Sequence, residues 1–199
     1  MNRRKFLSIA GWRVGTAVSA LLATGPVKAA RAVAYIRYLR PPGSINENLF
    51  SSRCIGCGQC AEVCPNRCIK YFTMFDGLAM ANTPYIIPRE KACILCMRCG
   101  DICPTGAITK IKANAVDIIQ FAKMGKAQVD TSLCLSYQGK TCGVCYRACK
   151  LADVAIKVQR LEQPVVLDAC VGCGLCERSC IQIPQAIKII PQQVLQSIS

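Results

Sequence analysis

Seventeen cysteines and the absence of histidine determine which chemistry this 199-residue chain can support. Sixteen of the cysteines form four motifs, three of which share the interval C-x2-C-x2-C-x3-C. Motif 3 instead places seven residues between its first two cysteines. Any zinc or iron site must therefore be built from thiolates, without imidazole ligands. In chain order the motifs are Cys54, Cys57, Cys60 and Cys64; Cys93, Cys96, Cys99 and Cys103; Cys134, Cys142, Cys145 and Cys149; and Cys170, Cys173, Cys176 and Cys180.

The repeated interval is typical of iron–sulfur proteins. Three thiolates on one tight loop bind three irons of a cubane, and the fourth cysteine points toward the other cluster of a pair. Glycines such as Gly56 and Gly172 suit a loop whose backbone must bend close to the sulfurs. Zinc ribbons use two separated cysteine pairs, and a disulfide scaffold does not need the repeated interval. Iron–sulfur binding is therefore favoured over both alternatives.

Exchange of the fourth cysteine within each pair of motifs predicts four [4Fe–4S] clusters, and we call their ligand sets quartets 1 to 4. The sets are Cys54, Cys57, Cys60 and Cys103; Cys93, Cys96, Cys99 and Cys64; Cys134, Cys142, Cys145 and Cys180; and Cys170, Cys173, Cys176 and Cys149. Lys150 and Ile181 stand where motifs 1 and 2 have proline, although a longer loop can still bring Cys134 to its corner. Cys68 is left over, and a small core residue is the favoured interpretation over a ligand.

The motif positions indicate a duplicated module. Motifs 1 and 2 start 39 residues apart, motifs 3 and 4 start 36 apart, and the two pairs start 80 apart. Short apolar segments at 69–71, 107–108, 155–158 and 186–189 predict a brief strand after each motif's short helix. The expected fold class is α+β: two tandem bacterial-type 2[4Fe–4S] ferredoxin-like modules, small and loop-rich. We place the modules at 53–112 and 131–192, an amino-terminal extension at 31–52 and a tail at 193–199. Residues 113–130 are either a packing helix or a linker.

Residues 1–30 resemble a twin-arginine signal peptide. Arg3 and Arg4 precede Phe6 and Leu7, and an apolar run follows that is short for a bilayer span. An uncleaved anchor and a basic amphipathic helix remain alternatives. The twin-arginine machinery moves folded proteins, so clusters could be inserted before the chain reaches an oxidising periplasm. The predicted location is therefore the periplasm, reached through the Tat export machinery.

The formal charge of +14 does not indicate a nucleic-acid partner. The basic residues are spread along the chain without interleaved aromatics. Four oxidised clusters, each about −2 with its thiolates, would bring the loaded protein near neutrality. No histidine or glycine-rich phosphate loop is present, so the sequence predicts an electron-transfer component with no catalytic residues of its own.

Beyond the cysteines, the chain resembles the NapG/MauM family of ferredoxin-type proteins, and the NapG branch most. The likeness is carried by residues 39–43, 46–50, 83–85, 134–139 and 142–147. Lys150 is the clearest departure. The resemblance implies a periplasmic protein that takes electrons from a quinol-oxidising, NapH-type membrane partner and passes them to a downstream acceptor such as nitrate reductase. The MauM branch is associated with methylamine dehydrogenase systems. Alternatives are a maturation or scaffold protein, and an electron-transfer subunit of a molybdenum oxidoreductase or hydrogenase.

Overall fold

The computed structural model describes residues 38–198, so the predicted signal peptide and the start of the extension lie outside the described residues. The helices are α1 (Glu47–Arg53), α2 (Gln59–Glu62), α3 (Arg98–Ile102), α4 (Ala115–Phe121), α5 (Val144–Arg147), α6 (Leu175–Ser179) and α7 (Gln192–Ile198). The strands are β1 (Ile69–Tyr71), β2 (Pro84–Ile86), β3 (Gly125–Val129), β4 (Ile156–Val158), β5 (Pro164–Val166) and β6 (Ile187–Pro191). Within residues 38–198, no helix is long and apolar enough to cross a membrane.

Each cysteine motif folds as a loop followed by a helix of about one turn. Helices α2, α3, α5 and α6 each begin one residue before the third cysteine of a motif and end just before its fourth. The residue that precedes each helix is in the left-handed region. It is Gly58 (φ 83°) in motif 1, Met97 (φ 58°) in motif 2, Gly143 (φ 55°) in motif 3 and Gly174 (φ 85°) in motif 4. Because Met97 adopts this conformation despite its Cβ, the loop geometry is imposed by its surroundings and not by glycine alone.

The strands repeat in the two halves of the chain. After motif 1, β1 pairs antiparallel with β2 (Ile69 opposite Ile86), and after motif 3, β4 pairs in the same way with β5. A longer pair, β3 with β6, closes the second half over five residues. Its counterpart in the first half is a single bridge between Ser44 and Ile108. The strands predicted after motifs 1, 3 and 4 are therefore present, and the one after motif 2 is reduced to this bridge.

The segment between the halves contains a helix and a strand. Asn114 caps α4, because its side chain accepts a hydrogen bond from the Asp117 amide at 2.8 Å. After α4, the Met124 amide donates to the Val171 carbonyl at 3.1 Å, and β3 follows directly. The sequence predicts either a packing helix or a linker at residues 113–130, and it does not predict β3. The end of this segment thus pairs with the last strand of the second half.

A single apolar core runs through both halves and includes many of the cysteines. Phe50 of α1 and Ile86 of β2 are fully buried, and Val171 of motif 4 is 2% exposed. The predicted fold class is confirmed: short helices and strands, joined by loops, form two ferredoxin-type halves.

Candidate iron–sulfur cluster sites

The cysteines of quartet 1 line one cavity. Cys54, Cys57 and Cys60 come from the motif 1 loop, and Cys103 comes from the end of α3. The empty space is about 350 Å³, part of it open to solvent. Of the seventeen cysteines, all of which the structure describes, only Cys57 is exposed. Quartet 1 is therefore the most accessible of the four sets.

Hydrogen bonds fix the loop of quartet 1. The Tyr71 hydroxyl, from β1, donates to the Gly58 carbonyl at 2.6 Å and accepts from the Ala61 amide at 3.3 Å. On the other side of the cavity, the Ile108 amide donates to the Cys103 sulfur at 3.4 Å. Amide hydrogen bonds to ligand sulfurs are among the features that set cluster potentials.

The cysteines of quartet 2 also lie together. Charge on Cys96 and Cys64 contributes to raising the pKa of Cys99, which places all three within electrostatic reach of one another. The Cys64 sulfur lies 3.6 Å from the Cys68 sulfur, and Cys93 raises the pKa of Cys68, so Cys93 is within electrostatic reach of it. A fifth sulfur, that of Cys68, therefore lies beside quartet 2. The sequence predicts Cys68 to be a small core residue.

Quartet 3 is assembled despite the stretched motif. Cys134, Cys142, Cys145 and Cys180 line a cavity with about 380 Å³ of empty space. The extra residues form a tight turn in which the Gln138 amide donates to the Cys134 carbonyl at 3.0 Å. Upstream, the Cys134 amide donates to the Asp130 carbonyl at 3.1 Å. The inserted residues therefore form a turn that leaves Cys134 at the wall of the cavity, which Leu135 and Ser136 also line.

Quartet 4 lies beside motif 2. Cys149, Cys170, Cys173 and Cys176 line a cavity with about 420 Å³ of empty space, and Leu95 of motif 2 lines the same cavity. The Cys93 amide donates to the Cys173 carbonyl at 3.0 Å. Lys150, which replaces the expected proline, donates from Nζ to the Ile94 carbonyl at 2.7 Å. The two halves of the chain therefore meet through motifs 2 and 4.

Burial raises the pKa of several thiol groups in these sites. It raises the pKa of Cys99 to about 12 and the pKa values of Cys145 and Cys173 to about 11. Cys103 differs: burial acts to raise its pKa, but hydrogen bonds from the Ile108 amide and Thr105 outweigh this and lower it. The thiols whose pKa is raised are protonated at neutral pH without metal, so cluster binding at these cysteines must release protons.

The residues present fit iron–sulfur clusters. Each site offers four sulfurs and no competing nitrogen ligand, which is the donor set of a [4Fe–4S] cluster. At quartet 3, Ser136 is 1% exposed and lines the cavity, yet its Oγ has no hydrogen-bond partner among residues 38–198. A cluster sulfur would supply the missing acceptor. Within the same residues, no group of three or more cysteine, aspartate or glutamate side chains is arranged to hold a single metal ion.

Sequence reasoning missed several residues that shape these sites. Tyr71 fell within a predicted strand, but nothing in its spacing indicated that its hydroxyl would reach the motif 1 loop. Lys150 was recognised only as a departure from proline, and Leu95 only as a loop residue. Ser136 was noted within a family-like segment, without a role. All four act through contacts that depend on how distant parts of the chain pack.

Comparisons with known proteins agree with this chemistry. A 4Fe-4S dicluster domain model matches residues 53–107, which contain motifs 1 and 2, and a 4Fe-4S binding domain model matches residues 167–180, which contain motif 4. The chain is 38% identical to ferredoxin-type protein NapG of Escherichia coli K12, over 96% of this chain and 86% of that protein. It is 35% identical to methylamine utilization ferredoxin-type protein MauM of Methylobacillus flagellatus, over 92% of this chain and 80% of that protein. It is also 35% identical to MauM of Methylorubrum extorquens, over 97% and 90%.

Proposed function

Because the chain belongs to the NapG and MauM family of ferredoxin-type proteins, we propose that it is a periplasmic relay that carries electrons over four [4Fe–4S] clusters. Membership of this family makes the chain a ferredoxin-type iron–sulfur protein. The proposal adds that it binds four clusters, held by quartets 1 to 4. One observation supports the extension: in quartets 1, 3 and 4, three cysteines of one motif line a cavity together with the fourth cysteine of the paired motif. A bound cluster supplies reversible one-electron chemistry at iron.

The contacts between quartets support one order for the relay. Helix α2 of motif 1 contacts helix α3 of motif 2, so quartets 1 and 2 are neighbours. Helix α5 of motif 3 likewise contacts helix α6 of motif 4, so quartets 3 and 4 are neighbours. Leu95, on the loop of quartet 2, lines the cavity of quartet 4. The proposed order is therefore 1, 2, 4, 3, with quartets 1 and 3 at the ends.

The protein's part in this relay is to hold the clusters close and to shield the inner ones from water. The ligand residues of quartets 2 and 4 are buried or half-buried, and the backbone hydrogen bond between Cys93 and Cys173 holds their loops together. At quartet 1 the exposed Cys57 lies beside Ile55, which is 70% exposed. Of the two ends of the relay, the end at quartet 1 therefore offers a partner protein the shorter route to a cluster.

The partners of the relay are proposed from the family resemblance. In this proposal a NapH-type membrane protein oxidises quinol and reduces this chain, which in turn reduces a periplasmic acceptor such as nitrate reductase. Export would follow the twin-arginine route, through the signal at residues 1–30. The acid–base and substrate-binding groups of the overall reaction would then belong to the partners.

Metal analysis of anaerobically purified protein tests the cluster content. We expect about sixteen irons and as many acid-labile sulfides per chain, with EPR signals of interacting [4Fe–4S] clusters on reduction. Cys145→Ala should lose the cluster of quartet 3, whereas the matched variant Ser136→Ala, in the same cavity, should keep it. Zinc in place of iron, or colourless protein with its thiols oxidised to disulfides, would overturn the proposal.

Electron transfer is tested with the proposed partner. Membranes that contain a NapH-type protein should reduce the clusters when quinol is added, and a periplasmic acceptor should reoxidise them. Clusters that bind fully but never change oxidation state under these conditions would favour the maturation or scaffold alternative.

A further inference from the structure

Quartet 2 differs from the other quartets in having a fifth sulfur. The Cys68 sulfur lies 3.6 Å from the sulfur of Cys64, one of the four proposed ligands, and Cys93 is within electrostatic reach of it. Cys68 is only 4% exposed, which places it inside the site and not on its surface. The family model for a 4Fe-4S dicluster domain spans this region, at residues 53–107.

Cys68 lies between a strand and a short turn, and each of them fixes one side of its backbone. Cys68 immediately precedes β1, whose pairing with β2 anchors it on one side. On the other side, a short turn connects it to Cys64, and the Arg67 amide donates to the Cys64 carbonyl at 3.0 Å. Pro65 and Arg67 are exposed, but Asn66 between them holds the turn, because its Nδ2 donates to the carbonyl of buried Ala92 at 2.6 Å. The Cys68 thiol would therefore start 3.6 Å from the Cys64 sulfur that it replaces.

We propose that Cys68 is a spare ligand of the cluster at quartet 2, which binds the fourth iron when Cys64 is removed. The inference rests on the proposed function, because it requires a cluster on Cys93, Cys96 and Cys99. In the exchange, the Cys68 thiol releases its proton to solvent and its sulfur forms an iron–sulfur bond at the corner that Cys64 would occupy. No electron is transferred, and the cluster keeps its oxidation level.

The other quartets lack such a residue at the equivalent position. Cys68 follows the fourth cysteine of motif 1 by four residues, and the residues at this distance in motifs 2, 3 and 4 are Ala107, Asp153 and Pro184. Neither alanine nor proline can bind iron through its side chain. Cys180→Ala, which changes the fourth cysteine of motif 4, is therefore a matched control for Cys64→Ala.

The experiment measures iron and acid-labile sulfide in full-length, anaerobically reconstituted protein, together with EPR of the oxidised and reduced forms. Cys64→Ala and Cys64→Ser should each keep the full iron content of the wild type. Cys180→Ala should lose about a quarter of its iron, or show the EPR signal of a three-iron cluster when oxidised. Cys68→Ala alone should keep its iron, and Cys64→Ala combined with Cys68→Ala should lose as much as Cys180→Ala.

The outcomes separate this inference from the proposed function. If Cys64→Ala and Cys64→Ser lose iron or become insoluble while Cys180→Ala stays soluble, the spare-ligand role of Cys68 is wrong and the relay stands. If the double variant keeps its full iron content, some residue other than Cys68 replaces Cys64, which also overturns the inference. A wild-type protein without iron would instead refute the relay itself.

Discussion

The two halves of the molecule repeat one arrangement of cysteines but close it in different ways. In the second half, five residues of β3 pair with β6 and connect the start of the half to its end. In the first half, only the bridge between Ser44 and Ile108 remains, supported by the Thr109 amide, which donates to the Gly43 carbonyl at 2.8 Å. The first half is therefore closed by fewer strand pairings than the second half.

A buried arginine adds side-chain contacts within the first half. Arg40 donates to the Thr83 hydroxyl at 3.0 Å and to the Pro84 carbonyl at 2.7 Å, and its guanidinium forms an ion pair with Glu47. Its Cζ atom also lies 4.6 Å from the centre of the Phe50 ring. One side chain thus joins the extension, α1 and β2. The comparison teaches that duplication preserved the cysteine sites, while the closure of each half is built from different interactions.

Arg40→Ala should have the largest effect on the stability of the protein. The change leaves the Glu47 carboxylate, whose side chain is 17% exposed, without this guanidinium, and breaking a buried ion pair costs about 3–5 kcal/mol. We expect a lower denaturation midpoint for the anaerobic, cluster-loaded protein, and loss of iron from the first half before the second.

The matched control is Lys126→Ala in the second half. Lys126 pairs with Asp168 at 2.6 Å, but both side chains are exposed, so water and salt screen the pair. No measurable change in the denaturation midpoint is expected. Equal effects of the two variants would show that Arg40 does not close the first half.

Gly172→Ala should have the next largest effect, and it acts on the second half. Gly172 has φ 71°, and a Cβ there would lie 2.6 Å from the Gly125 backbone. A left-handed alanine costs about 1–2 kcal/mol and overpacking about 1–3 kcal/mol, so the variant should be clearly destabilised in the same denaturation measurement.

Gly106→Ala separates the cost of a left-handed alanine from the cost of overpacking. Gly106 has φ 66°, but a Cβ there would meet no atom within 4 Å, so only the conformational cost of about 1–2 kcal/mol remains. Leu95, which matches Gly172 in motif 2, adopts φ 58°, so this conformation alone is tolerated. If Gly106→Ala is as destabilised as Gly172→Ala, the close contact with Gly125 is not what excludes a side chain.

Tyr71→Phe should have the smallest effect on stability. It tests the comparison between the two halves at the site of quartet 1. The change removes the hydroxyl that holds the Gly58 carbonyl and the Ala61 amide, at a cost of about 1 kcal/mol. Val158, the counterpart of Tyr71 in β4, has no such group. Hydrogen exchange followed by mass spectrometry should show faster exchange around Ala61. Tyr146→Phe in the second half, whose hydroxyl bonds the exposed Asp153, should leave exchange around Ala61 unchanged.

The sequence predicted the part of the fold that depends on local spacing. The 2-2-3 interval fixes a loop and a one-turn helix, so the motif helices and the brief strands after motifs 1, 3 and 4 could be read from the residues. The ligand sets remain a prediction, although the cysteines of quartets 1, 3 and 4 each line a single cavity. Strand β3 was missed because its partner, β6, lies about sixty residues further along the chain.

The interactions that no spacing could reveal are those between distant segments. Arg40 lies in a proline-rich stretch with the appearance of an extension, and only the packed structure shows its contacts with β2 and α1. Lys150 could be recognised as a departure from the motif, but its hydrogen bond to Ile94 depends on how the halves pack. Such contacts follow from three-dimensional geometry, which a single sequence does not contain.

The position of Cys103 in the wall of the first cavity has a consequence for biosynthesis. A nascent chain that has emerged only as far as Cys60 carries three corners of that site but not the fourth, which follows 43 residues later. Assembly factors on the ribosome would therefore meet incomplete sites until just over half of the polypeptide has been synthesised. Quartets 1 and 2 become complete almost together, at Cys103 and Cys99, so their loading should be a paired event.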